Sequence, residues 1–162
     1  MTRITGTTFA VGKRALVNRL TTRLSGVSGM ESIGVHYAYP TKKIETEAIW
    51  LDDDGSVDQS WRWMQGGTKP VRETWQTDLF IQLQRNRGDI TDGQNPSEQA
   101  ELRLIEIYKQ IQQAIAEDPQ LDDSQLWSEL EAGDISVDRS APALRALMRV
   151  TFRGHAELYP DP

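Results

Sequence analysis

The chain contains no cysteine and only two histidines. Without a thiol, disulfide frameworks, cysteine zinc sites and thiol nucleophiles are excluded together. No apolar run approaches the ~20 residues that cross a bilayer. The opening stretch, MTRITGTTFAVGKRALV, holds no continuous apolar core, so neither a secretory signal nor a membrane association is expected. Recognisable catalytic punctuation is also missing: there is no HExxH, no Gly-rich loop ending in Lys-Ser/Thr, and no GxGxxG after a strand. Finally, two regions each lack one sign of charge. Residues 1–30 carry Arg3, Lys13, Arg14, Arg19 and Arg23 and no acid, whereas residues 110–138 carry Glu117, Asp118, Asp122, Asp123, Glu129, Glu131, Asp134 and Asp138 and no base.

What is present fits one globular domain. The 162 residues lie within the usual domain range of ~100–200, enough to bury a core without disulfides or metal. Lys and Arg number 18 against 24 Asp and Glu, a net charge of -6. Such a balance argues against a dedicated nucleic-acid binder, which concentrates basic residues on one surface.

Hydrophobic spacing supplies the elements. A first helix is expected after Thr7 or Thr8, either of which can cap it. Leu16, Leu20 and Leu24 share one face, Arg14 points away, and Ser25-Gly26 ends the helix. Ile33, Val35, Tyr37 and Tyr39 then alternate with smaller or polar residues and predict a half-buried strand closed by Pro40. A short strand at Glu47–Leu51 runs into Asp52-Asp53-Asp54-Gly55-Ser56, which reads as a hairpin turn, because a type I′ turn needs positive φ at both central positions. The return arm would carry Val57, Trp61, Trp63 and Met64. From Val71 the alternation is long: Val71, Glu73, Trp75, Thr77, Leu79, Ile81 and Leu83 on one side, mostly polar residues on the other. That pattern describes a sheet covered on one face only.

Asn95-Pro96-Ser97-Glu98 combines a cap, a first-turn proline and a capping-box acid, and opens a second helix to about Ala116. Its stripe is Leu104, Tyr108, Ile111 and Ile115, widened by Leu102, Ile105 and Ile107. Leu126, Trp127 and Leu130 fit a short helix or a strand, and Ile135 and Val137 a strand. Asp138–Pro142 reads as a turn. A final long strand buries Leu144, Ala146, Met148, Val150 and Phe152 and turns Arg145, Arg149 and Arg153 to its wetter face. Hairpin-joined strands with a helix at each break predict an α+β fold, a mainly antiparallel mixed sheet flanked by two helices, in a single domain over residues 1–158 with a short tail at 159–162.

Candidate chemistry is sparse. His36 and His155 both sit in strand patterns, the ordinary place for a structural histidine. The triple aspartate before Gly55 fails as a calcium loop: with Gly55 sixth, the first and twelfth positions are Trp50 and Trp61, and neither can ligate. No metal and no cofactor are expected. Trp50, Trp75 and Trp127 read as core. Trp61 and Trp63 flank Arg62 and point the same way, either covering the sheet or anchoring a partner, since Trp and Arg are enriched at interface hot spots. The basic first helix and the acidic 117–138 region read either as two solvated surfaces of unlike charge or as faces that meet head to tail between copies.

Taken in order, Val35-x-Tyr37-x-x-Pro40, the EAIWLDD strand at Glu47–Asp53, the ETWQTDLFIQL strand at Glu73–Leu83, the helix opening NPSEQAE, the AEDPQL run at Ala116–Leu121 and the closing RALMRVTFRGHAEL strand at Arg145–Leu158 make a pattern. Over roughly residues 10–158 it resembles the tail-terminator, or tail-completion, proteins of long non-contractile-tailed bacteriophages. The resemblance implies a non-enzymatic virion protein at the neck of the tail, assembled in the host cytoplasm. It implies a homo-hexameric ring that caps the tail tube, stops its polymerisation and presents the face that joins the head–tail connector, with phage DNA passing through the channel without specific binding. The segment Gly55–Pro70 is longer than a minimal member would need. The candidate subunit or tube contacts are Arg14, Arg19, Asp52, Asp53, Asp54, Trp61, Arg62, Trp63, Asp122, Asp123, Arg145, Arg149 and Arg153. Two other readings fit the same residues: a head–tail connector or head-closure protein of the neck, and a small α+β enzyme or ligand-binding domain.

Overall fold

A computed structural model of the protein describes residues 6–61, 70–86, 95–139 and 143–159. Among these, the elements are α1 (Phe9–Ser25), β1 (Gly34–His36), β2 (Glu47–Trp61), β3 (Val71–Asn86), α2 (Pro96–Glu117), β4 (Trp127–Asp138) and β5 (Ala143–Leu158). The strands form one mixed sheet in the order β1-β2-β3-β5-β4. Every pairing is antiparallel except β1 with β2. This is an α+β fold, as the element pattern predicts.

The period-two alternation of β3 sets the layers. Its residues from Val71 through Leu83 on one side are all buried, and so are Leu144, Ala146, Met148, Val150 and Phe152 of β5. Against that face lie Leu16, Leu20 and Leu24 of α1 and Leu104, Ile107, Tyr108, Ile111 and Ile115 of α2. Each large aliphatic side chain so buried contributes about 1.5–3 kcal/mol. The helical stripe of α2 is narrower than its sequence suggests: Leu102 and Ile105 are exposed, because the sheet covers only one side of the helix. Asn95 caps α2, its side chain accepting from the Ser97 N–H at 3.1 Å, and Pro96 follows at the first helical position.

Both helices lie on this one face, antiparallel and tied together. Arg19 and Arg23 of α1 grip the Glu117 carboxylate at the C-terminal end of α2, at 3.0 and 2.6 Å. Arg19 also donates at 3.1 Å to the Ala114 carbonyl, which accepts as well from the Asp118 N–H that closes the last helical turn. At the other end, Arg103 of α2 forms a bidentate pair with Glu47 of β2 at 2.9 and 2.8 Å.

Several local expectations yield to longer-range pairing. The Ile33–Tyr39 segment contributes only Gly34–His36 to the sheet, and Tyr39 is exposed. Asp54-Gly55 is not a hairpin turn. β2 runs through it, with both halves paired to β3: Leu51 opposes Leu79 and Gly55 opposes Thr77, so the aspartates form a bulge in one strand. Gly55 does not take the positive φ that a type I′ turn needs. Glycine is required there for space, since Phe9 of α1 presses on the position that a Cβ would fill. Val57 and Trp61 therefore continue β2 rather than return along it, and Trp63 and Met64 lie outside the described residues. Trp127 is also not core. It opens β4 on the far face of the sheet and stacks on His155 at 4.5 Å, still well exposed.

Candidate interaction surface

The face of the sheet away from the helices is open and polar. On it, β3, β5 and β4 are laced by cross-strand contacts. Arg149 Nε donates to Asp78 Oδ2 at 2.6 Å, and Thr151 donates to Asp78 Oδ1 at 2.8 Å. Arg153 reaches Gln76 at 3.2 Å and Glu131 at 3.0 Å. His155 meets Thr74 through Nδ1 at 3.1 Å and faces Glu129 through Nε2 at 3.4 Å. These pairs are half-exposed, so each adds at most about 1 kcal/mol. Together they make a fixed grid of alternating charge.

Two shallow grooves cut this face. One, of about 300 Å³, is lined by Asp52, Asp54, Gly55, Ser56, Gln76, Thr77, Asp78, Arg149, Thr151 and Arg153. The sheet thus brings two of the three consecutive aspartates, Asp52 and Asp54, and two of the three arginines of β5 into one place. The second, of about 360 Å³, lies towards the opposite end of the strands and is lined by Tyr39, Lys42, Lys43, Ile44, Gln82, Gln84 and Arg145. Beside it Trp50 stacks on Phe80 at 5.6 Å and receives the edge of Tyr39 at 5.3 Å. The residues after β1 therefore fold over the open face at this end.

The bulge is built from the inside. Lys13 of α1, buried, donates to the Asp52 carbonyl at 2.7 Å, and Thr77 donates to the Asp54 carbonyl at 3.1 Å. The ammonium also lies 4.5 Å from the Tyr37 ring centre, a cation–π contact. Burial lowers the Lys13 pKa from its ordinary 10.5, opposed by the charges of Asp53 and Asp52. The bulge carbonyls point inward to these donors, while Asp53 and Asp54 are exposed.

Not every candidate residue joins this surface. Arg14 is exposed on α1 and stacks on Tyr37 at 4.6 Å. Arg19 is occupied within the subunit by Glu117, so part of the basic-to-acidic complementarity between α1 and the 117–138 region is satisfied inside one chain. Trp61 is 69 % exposed at the end of β2. Asp122 and Asp123 are exposed on a turn beyond α2, on the helix side. Arg62 and Trp63 lie outside the described residues. Lys42 and Lys43 have no counterpart in the sequence pattern, and Lys13 figures there only as one charge of the basic first helix. The Lys42-Lys43 pair just after Pro40 was the available signal, but nothing local shows that it comes back over Gln82 and Gln84.

The sheet's edges complete the surface. β1 covers β2 only at Ala48–Trp50, and from the bulge onwards β2 is an outer strand, with Asp53 and Asp54 in the bulge and Asp58 beyond it. The opposite edge, β4, bears Glu129, Glu131, Asp134 and Asp138. Among the described residues no helix is long and apolar enough to cross a membrane, and no three His, Asp or Glu side chains converge to hold a metal ion. No protein-family model matches the chain, and no curated protein matches it.

Proposed function

We propose that the protein is a structural ring subunit that caps a phage tail tube, ends its polymerisation and offers the opposite side to the head connector. The observation that carries this reading is the two-sidedness of the subunit. One sheet face is sealed by both helices, while the other is open, charged and cut by two grooves. A subunit with unlike surfaces on its two sides and at its two edges can join copies of itself head to tail by rotation, and a head-to-tail contact that closes makes a ring. Ending a polymer then needs only a face that fits the last tube subunit and a second face that refuses the next one. The resemblance in element order, from the helix before Val35-x-Tyr37 to the closing Arg145–Leu158 strand, supports the same reading.

The partners in this reading are copies of the chain itself, the major tail tube protein and the head–tail connector, with DNA threading the channel. The site is the virion neck. Acid on both free edges favours contacts through faces and grooves, because two such edges brought side by side would set like charges opposite each other. The chemistry needed is recognition alone, with no catalytic step.

The test is assembly. Native mass spectrometry and negative-stain microscopy of the purified chain, alone and with tube protein, are expected to show closed rings and rings seated on tube ends. A chain that stays monomeric at every concentration and leaves tube length unchanged would rule the reading out. Particles made without the protein separate it from the neck alternative: overlong tubes mark a terminator, and heads that leak DNA mark a head-closure protein.

A further inference from the structure

We infer that the groove over Gln82, Gln84 and Arg145 is a socket for a second copy of this chain, and that the turn bearing Asp122 and Asp123 is what enters it. The inference rests on the ring reading above and names the contact that would close the ring.

Among the described residues, several cations are committed within the subunit. Arg19 and Arg23 hold Glu117, Arg103 holds Glu47, Arg149 holds Asp78, Arg153 holds Glu131, and Lys13 is buried on a carbonyl. Lys42 and Lys43 stand as an adjacent pair with no such partner: both are exposed, both line the groove, and neither makes an ion pair with any described residue. Arg145 lines the same groove from β5, with Asp138 as its cross-strand neighbour on β4. The glutamines at 82 and 84 supply amide donors on the floor, and Tyr39 a phenolic wall. A groove of about 360 Å³ with this lining accepts a short acidic turn.

The chain carries such a turn. Leu121, Asp122 and Asp123 follow one another at φ of 48°, 55° and 61°. Leu121 is fully buried and pins the turn, the Asp122 N–H donates to Asp118 at 2.9 Å, and both aspartate side chains project outward. Local charge complementarity favours this occupant: two exposed lysines and Arg145 line the groove, and two exposed aspartates crown the turn.

Placement makes the contact intermolecular. Gln125, just past the turn, bonds the indole of Trp75 on the helix side of the sheet. The groove sits by Gln84 on the open side, nine residues further along β3, or about 30 Å at the rise of a strand. Turn and socket are therefore at opposite ends and on opposite faces, and cannot meet within one subunit. Joined between subunits they give a heterologous contact, the kind that propagates around a ring.

Charge reversal tests the pairing in the full chain. K42E/K43E and D122K/D123K, each checked for folding by circular dichroism, are each expected to weaken self-association at least about tenfold in sedimentation velocity. Mixed in equal amounts, the two variants should form heterologous pairs through their reversed faces, and the quadruple variant should recover association to within about threefold of wild type, as complementary charge sets partner choice. Rings that form unchanged in either double variant overturn the pairing while leaving the ring reading intact. A wild-type chain that never associates removes both. If K42E/K43E assembles normally but loses binding to a duplex DNA oligonucleotide, the groove belongs to phosphate and the inference fails.

Discussion

Gly154 of β5 lies flat against the indole of Trp75, its cross-strand partner on β3; a Cβ at position 154 would stand 2.5 Å from the indole Cε2. On its other side the same ring presses on Gly12 of α1, where a Cβ would also collide. Phe9 meets it edge-on at 5.5 Å, Phe152 tilts against it at 5.2 Å, and its Nε1 donates to Gln125 at 3.0 Å. Trp75 is thus the pin that holds α1, the sheet and the post-α2 turn in one arrangement.

Gly154→Ala should therefore be costly out of proportion to one methyl group. Overpacking typically costs about 1–3 kcal/mol, and an indole held between two glycines has no direction in which to yield. Urea unfolding should place the loss at or above the upper end of that range. An unchanged midpoint would mean that the ring relaxes freely.

Glu73 presents a different dependence. Its buried carboxylate accepts from both the backbone N–H and the hydroxyl of Thr8 at 2.6 Å, and from Gln59 Nε2 at 2.6 Å. Thr8 stands at the cap position of α1 without capping it through its own side chain. A carboxylate from β3 does the capping instead, placed where the helix dipole favours negative charge. Glu73→Gln keeps the shape but puts an amide among donors. The expected loss is about 2 kcal/mol, the scale of hydrogen bonds to a charged acceptor, read from chemical denaturation. Thr8→Ala should remove part of the same quantity, and a double-mutant cycle should show the two coupled.

How far the sequence revealed this architecture depends on the range of the interaction concerned. The β3 and β5 alternations, the central α2 stripe of Leu104, Tyr108, Ile111 and Ile115, and the Asn95 cap are local, and all are realised; Leu102 and Ile105, expected to widen that stripe, are exposed. The Asp54-Gly55 turn failed because the choice between turn and bulge is made by β3, which pairs with both sides of it. Trp127 was misplaced because its face is set by the register of β4 on β5, and Trp127 opposite His155 falls on the open side. Lys13 reads as one basic residue of a solvated helix, yet it is buried because the bulge carbonyls turn inward beneath it. On the candidate surface, Arg149, Arg153, Asp52 and Asp54 were foreseeable one by one. Their meeting in one groove was not, since it depends on strand order.

Lys13 gives a pH dependence whose sign follows from its direction of shift. The folded pKa lies below 10.5, so between the folded value and 10.5 the unfolded chain binds more protons. Stability from this group therefore rises with pH across that window. The cost of burying the charge is fully present below the folded pKa and gone above 10.5. Compared with Lys13→Met, which does not titrate there, the wild-type chain should gain stability as pH climbs towards 10.5. A flat or falling difference would mean that the Asp52 carbonyl and the Asp53 charge outweigh desolvation.

Glu45 titrates at the other end of the scale. The hydrogen bond from His36, at 2.8 Å, lowers its carboxyl pKa below the ordinary 4.5, with the Glu45 backbone helping and partial desolvation opposing. A depressed carboxylate contributes stability that is present above its unfolded pKa and is lost as pH falls through the folded value. Both side chains are substantially exposed, so solvent screening keeps that contribution small. The titration itself is the better measure. In carbon-detected NMR the wild-type Glu45 carboxyl should titrate below 4.5, and in His36→Ala it should move up towards 4.5. A Glu45 curve indifferent to His36→Ala would show that the pair does not persist in solution, and with it would go the anchor between β1 and the segment that carries Lys42 and Lys43 over the open face.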